Sequence, residues 1–197
     1  MIERAHHPLI WPTVERWLPE KPCFILDAGC GQGQLSFRMA ARGHSVVGID
    51  LPSPDLALAA ELLKGSASKW QLVAGSLELL PMNGRRCFDV AVSIEVIEHL
   101  YRPLTALRNI SELLVPQGIT ILSTPYHGWL KNVAISLTGD WDFHHTSLEE
   151  GGHIKFWSRR TLATALRQAG LEPIEWCGVS RAPFLWKSII VKARKIL

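Results

Sequence analysis

The sequence predicts an α/β fold in which helices cover both faces of a parallel sheet, and three observations point to it. Residues 24–33 read Phe-Ile-Leu-Asp-Ala-Gly-Cys-Gly-Gln-Gly, an apolar strand that ends in an acid and runs into a loop with glycine at every second position. Residues 88–93 read Phe-Asp-Val-Ala-Val-Ser, apolar almost throughout, as befits a strand covered on both faces. Elsewhere helix-like and strand-like segments alternate, the order that a parallel sheet requires.

The elements follow in order from local patterning. A short helix near Trp11–Leu18 precedes strand Cys23–Asp27. Helix Gln34–Arg42 leads to strand Ser45–Asp50; a helix over about Asp55–Lys64 follows Pro54, and strand Trp70–Ala74 comes next. Strand Cys87–Ser93 feeds helix Pro103–Leu114, which gives way at the turn residues Pro116-Gln117-Gly118 to strand Ile119–Ser123. A long insertion, about residues 125–157, then interrupts the alternation, with a short helix expected over Trp129–Leu137 and a polar loop over Asp140–Gly152. Helix Ser158–Ala169, stopped by Gly170, and strands Glu172–Cys177 and Lys187–Lys192 close the chain.

Composition fits one compact unit. With 197 residues, 47% hydrophobic and 20% charged, the chain can bury a good core as a single domain, residues 1–197. The first ten residues carry Glu3, His6, His7 and Pro8 and no apolar core, unlike a secretory signal, and no run reaches the ~18 apolar residues of a membrane span. A soluble, cytoplasmic protein is expected. Cys23, Cys30, Cys87 and Cys177 are scattered without a C-x-x-C pair, which suits reduced thiols better than disulfides or zinc. A net charge of +3 gives no reason to expect a nucleic-acid partner. The C-terminal run from Arg181 mixes basic and apolar residues; it suits a closing strand, with peripheral membrane contact as the competing reading.

The glycine loop identifies the ligand class. A dinucleotide fingerprint fails at its last glycine, where Gln34 stands, and the spacing is D-x-G-x-G-x-G from Asp27 to Gly33. An anion at Asp27 suits a ligand carrying positive charge better than a pyrophosphate, and Asp50, at the end of the second strand, is placed to accept the hydroxyls of a ribose. Here the chain resembles the class I S-adenosylmethionine-dependent methyltransferases, over about residues 22–124. The resemblance implies a three-layer, Rossmann-like sandwich with a mostly parallel seven-stranded sheet, an antiparallel C-terminal hairpin and a lid in the insertion. It also implies S-adenosylmethionine as cofactor, S-adenosylhomocysteine as product, and cofactor contacts from Asp27, Gly29, Cys30, Gly31, Gly33, Asp50, Leu51, Ser76, Leu77 and Glu95. One departure is the segment Gly75-Ser76-Leu77-Glu78, where many relatives carry an acid for the adenine amino group; Ser76 or the Leu77 backbone must serve instead.

Two further segments bear on chemistry. Glu95, Glu98 and His99 form an E-x-x-E-H cluster which, on one helical turn, shares a face and can hold a divalent ion such as magnesium. It resembles the metal site of small-RNA terminal 2′-O-methyltransferases and the matching segment of the ubiquinone-biosynthesis O-methyltransferases; the bland alternative is a turn that only caps the sheet edge. The insertion is rich in aromatic residues and histidine, namely His127, Trp129, Trp141, His144, His145, His153 and Trp157. His127, Trp129, Trp141 and His145 are expected to line a pocket for a flat or apolar substrate. The block Gly151-Gly152-His153-Ile154-Lys155-Phe156-Trp157-Ser158 resembles one in both families where a histidine faces the active site. His153 is therefore the preferred base or fourth metal ligand, with His99 as the other candidate base.

Together these features imply a methyltransferase acting on a small molecule, most simply by O-methylation of a phenol- or quinol-like acceptor. A metal-dependent RNA 2′-O-methyltransferase and a non-catalytic cofactor-binding domain are the alternatives. The methylated atom and the oligomeric state are not encoded in any motif.

Overall fold

The computed structural model describes residues 7–64, 70–80, 87–145, 152–180 and 183–196. The His145 side chain and Arg181 lie outside the described residues. Seven strands form one sheet in the order β3-β2-β1-β4-β5-β7-β6. They are β1 Phe24–Ala28, β2 Ser45–Asp50, β3 Trp70–Ala74, β4 Phe88–Ile94, β5 Leu114–Pro125, β6 Leu171–Val179 and β7 Ser188–Lys195. The first five run parallel, and β7 lies antiparallel between β5 and β6. Helices are α1 His7–Trp17, α2 Gln34–Ala41, α3 Pro54–Lys64, α4 Pro103–Leu113, α5 Trp129–Thr138, α6 Trp141–His145 and α7 Arg159–Gln168.

The near-continuous apolar runs of β1 and β4 follow from burial on both faces. Successive residues alternate between two cores: Ile25, Val90 and Val92 join Ile10, Val14, Leu35 and Met39 on the α1/α2 side. Leu26 and Ala91 join Leu107, Ile110, Leu162 and Leu166 on the α4/α7 side. Each such Leu or Ile contributes about 1.5–3 kcal/mol on burial, so neither face of a central strand tolerates a polar residue cheaply. α7 begins at a reciprocal capping box between Ser158 and Thr161 and presents Leu162 and Leu166, one turn apart, to the sheet.

Two expectations change. Pro116-Gln117-Gly118 does not separate helix from strand: β5 starts at Leu114 and carries the segment as an irregularity, with Gln117 at φ 64 and a register shift opposite Phe88 and Val90. The expected polar loop after Asp140 begins with a short helix, α6. In the C-terminal run the expected closing strand is present as β7, with Ile189, Ile190 and Val191 in the core, while Phe184 and Ile196 stay exposed. No helix among the described residues is long and apolar enough to cross a membrane.

Candidate active site

The carboxyl ends of β1, β2, β4 and β5 meet where strand order reverses, with β2 on one side of β1 and β4 on the other. Ligands of open α/β sheets bind at such a crevice. The loop after β1 is tied to β2 because Gly29 N and Cys30 N both donate to Ile49 O, at 2.8 and 3.1 Å. Gly29 has φ 87, and a Cβ there would strike Val96, which follows β4, so the loop and the β4 end pack as one surface. Above Gly31 nothing lies within 4 Å of where a Cβ would stand, which leaves the loop's outer face open to a ligand just before the N-terminus of α2.

The two carboxylates of the loop differ sharply. Asp50 is half-buried; its Oδ2 accepts from Gly31 N at 2.6 Å and its Oδ1 from Leu51 N at 2.7 Å, so it braces the glycine loop from the end of β2. Asp27 is only 1% exposed and accepts from Ser36 Oγ at 2.6 Å, beneath α2. Burial pushes its carboxyl up to about 6 against the Ser36 hydrogen bond, with Asp50 adding to the rise. Asp27 is thus held by α2 at the base of the glycine loop.

The other expected cofactor residues divide similarly. Leu51 is exposed at the crevice, whereas the Leu77 side chain belongs to the core and its carbonyl accepts from Asn109 Nδ2 at 2.8 Å. Ser76 Oγ accepts from Glu78 N at 3.2 Å, which shapes the turn after β3. Cys30 is buried, and a Cβ at Gly48 would sit 2.9 Å from its sulfur; burial raises the thiol well above its ordinary range, so it is an inert packing group.

The E-x-x-E-H segment does not form one helical face. Glu95 sits in the left-handed region at φ 55, and the 3-10 turn that follows covers only Ile97–His99. Its carboxylate accepts from Ser123 Oγ at 2.6 Å and from Ser188 Oγ at 3.3 Å, linking the ends of β4, β5 and β7. Glu95 is therefore drawn away from Glu98 and His99. His153 takes its place: ligand atoms of Glu98, His99 and His153 lie within 4.8 Å of one another, and the two imidazole rings are 5.1 Å apart. Glu98 is 1% exposed and accepts from Thr124 Oγ1 at 3.0 Å. Its backbone carbonyl accepts from both Ile154 N and Lys155 N, at 3.0 Å each, and His99 Nδ1 lies 3.3 Å from Gly152 O. These contacts fasten the His153 segment to the β4 end.

In the insertion, His127 is 6% exposed, with Phe156 packed edge-on at 4.7 Å and the half-buried His144 at 5.9 Å. Burial, and next the charge of Lys131, push its imidazole down to about 3. Trp129 is 75% exposed, and Trp141 donates from Nε1 to Ser136 Oγ at 3.0 Å. Trp129 faces outward, so its indole does not cover an enclosed pocket among the described residues. An open groove of about 380 Å³ lies between α3 and β3, lined by residues that include Leu56, Ala57, Leu72 and Ala74. Lys131, 5% exposed, was not foreseen: α5 buries Lys131 and Ile135 while Leu130, Val133 and Leu137 face out, the reverse of what hydrophobicity suggests.

Known proteins match this sequence and this fold. The family described as "Methyltransferase domain" matches residues 3–175. The "Ubiquinone biosynthesis O-methyltransferase" of Cereibacter sphaeroides is 34% identical over 172 residues, 86% of this chain and 68% of the relative. That of Ruegeria pomeroyi is 36% identical over 165 residues, 83% of this chain and 65% of the relative. Among solved structures, Burkholderia thailandensis 1,6-didemethyltoxoflavin-N1-methyltransferase, with 1,6-didemethyltoxoflavin and S-adenosylhomocysteine bound, is similar at TM-score 0.75 and 22% identity, covering 100% of this chain and 80% of that one. A glycine loop braced by Asp50, set at the switch point of this sheet and matched over most of its length, makes the chain a member of the class I S-adenosylmethionine-dependent methyltransferase family.

Proposed function

We propose that the protein transfers the methyl group of S-adenosylmethionine to an oxygen of a small phenol- or quinol-like acceptor. The observation that carries this reading is the pairing of His99 and His153 at the end of β4, with rings 5.1 Å apart beside buried Glu98. The names of the two relatives, both ubiquinone-biosynthesis O-methyltransferases, support oxygen as the acceptor atom. The sulfonium methyl is already activated, so the protein's task is to align acceptor and donor and to exclude water. Asp50 and the open face at Gly31 would hold the adenosine. The acceptor hydroxyl would lose its proton to His153, or to His99, as the carbon moves from sulfur to oxygen, leaving S-adenosylhomocysteine and an imidazolium that returns its proton to solvent.

Glu98, His99 and His153 would also be the residues to hold a divalent ion. Tetrahedral ligands ~2.1 Å from one ion stand ~3.4 Å apart, so a set within 4.8 Å would have to draw inward by roughly 1 Å to close on it. Such an ion would lower the pKa of a bound acceptor hydroxyl. One carboxylate and two imidazoles suit zinc, iron or nickel better than magnesium, which prefers oxygen ligands. The RNA reading is not favoured, since its E-x-x-E-H metal set would include Glu95, which Ser123 and Ser188 engage.

His153→Ala tests the role of the histidine. Binding of S-adenosylhomocysteine by calorimetry should stay within about twofold while methyl transfer to a catechol falls by ~100-fold or more. Equal loss of both would make His153 structural, and cofactor binding with no turnover on any phenol tried would favour a non-catalytic binding domain.

A further inference from the structure

The turn that follows β3 is held from outside by α4. Leu79 N donates to Ser76 O at 3.1 Å, which makes Ser76 to Leu79 a β-turn whose central peptide joins Leu77 to Glu78. Both ends of that peptide are engaged: the Leu77 carbonyl accepts from Asn109 Nδ2 at 2.8 Å, and Glu78 N donates to Ser76 Oγ at 3.2 Å. Glu78 Oε1 accepts from Arg102 N at 2.6 Å, at the N-cap of α4, where the Arg102 side chain makes no cap. Arg102 and Asn109 stand about two helical turns apart, so one side of α4 grips the turn twice. Asn109 is 4% exposed and lies in the helix beside buried Ala106 and Ile110. An amide among apolar neighbours costs stability unless it is hydrogen-bonded, and the bond it makes here is to the turn.

The gripped turn borders the adenosine site. Gly75 N donates to the Asp50 carbonyl at 2.8 Å, so the turn hangs from the residue whose carboxylate would take the ribose. Leu77 N makes no hydrogen bond among the described residues, while the Leu77 side chain is buried in the core. We propose that Asn109 is a positioning residue for cofactor recognition: by fixing the Leu77–Glu78 peptide, it holds the Ser76 hydroxyl and Leu77 N–H in the arrangement that reads the edge of the cofactor's base. This rests on the cofactor reading above and deepens it. Adenine offers an acceptor at its ring N1 beside a donor amino group, and hypoxanthine reverses both. A fixed N–H donor matches the first and opposes the second, whereas a turn free to flip its central peptide would adapt to either.

The test is calorimetric titration of the unaltered protein and its variants with S-adenosylhomocysteine and with S-inosylhomocysteine, which carries hypoxanthine in place of adenine. The unaltered protein should bind the adenine ligand about 10- to 100-fold tighter, the range for one unmatched donor. Asn109→Leu should bring that ratio below about threefold by removing the hold on the Leu77 carbonyl. Asn109→Ala, which cannot overfill the core, serves if the leucine variant does not fold. Glu78→Ala should lower the ratio severalfold, and Glu78→Gln, which keeps an oxygen for Arg102 N, should restore it. A merely structural amide would lower the urea midpoint of the Asn109 variants and leave the ratio unchanged. That result would overturn the proposal, as would unfolding of both Asn109 variants or equal affinities for the two ligands in the unaltered protein. Failure of both ligands to bind the unaltered protein would instead sink the cofactor reading, and this inference with it.

Discussion

Asp27→Asn is the most informative single substitution. The carboxyl of Asp27 is held at about 6 against an ordinary 3.8, chiefly by burial. Two units of pKa correspond to roughly 3 kcal/mol at 1.36 kcal/mol each. The sign follows from linkage: a carboxyl whose pKa is raised on folding costs nothing while protonated in both states, below about pH 4, and its full cost is reached once the pH passes about 6. The asparagine variant keeps an acceptor for Ser36 but carries no charge, so its stability relative to the parent should improve by ~3 kcal/mol from about pH 4 to about pH 8. Urea unfolding of both ligand-free proteins at the two pH values measures this as a difference of differences, in which any constant cost of the buried amide cancels. A relative stability independent of pH would refute the argument that Asp27 is buried and charged. Calorimetry on the same variant separates roles: S-adenosylhomocysteine affinity within severalfold of the parent fits a carboxylate acting through Ser36 and the loop, and a much larger loss fits direct contact with the methionine amine.

Two further expectations concern the loop. Asp50→Ala should weaken S-adenosylhomocysteine binding by roughly 1.5–3 kcal/mol, the range for a charge-assisted hydrogen bond; calorimetry checks this, and unchanged affinity would remove Asp50 from the site. Gly29→Ala should destabilise the protein by more than the ~1–2 kcal/mol of a left-handed backbone, because the new Cβ also meets Val96. Adding Val96→Ala should recover the steric part of that loss in urea unfolding but not the backbone part.

Much of the fold was legible because its signals are local. The glycine loop, the acids ending β1 and β2 and the doubly apolar β4 each announce an element within a few residues, and all three stand where expected. The turn at Pro116-Gln117-Gly118 was misread because a proline and a glycine also suit a strand irregularity, and only the pairing of β5 with β4 decides between the two.

The site was legible in its membership more than in its arrangement. The spacing of Glu95, Glu98 and His99 suggests one helical face, yet Ser123 and Ser188, from strands 28 and 93 residues away in sequence, draw Glu95 elsewhere. His153 joins Glu98 and His99 only because the Glu98 carbonyl accepts from Ile154 N and Lys155 N across the fold.

By itself, then, the sequence determined the alternation of elements, the nucleotide-like loop and the choice of a sulfonium donor over a dinucleotide, since backbone freedom and short-range charge decide these. Tertiary structure alone decided which polar groups are buried: Asp27 under α2, Glu98 behind β4, His127 and Lys131 inside the insertion, and Trp129 outside it. The cost of burying a charge or a polar group depends on neighbours supplied by distant segments, and no local pattern carries that information.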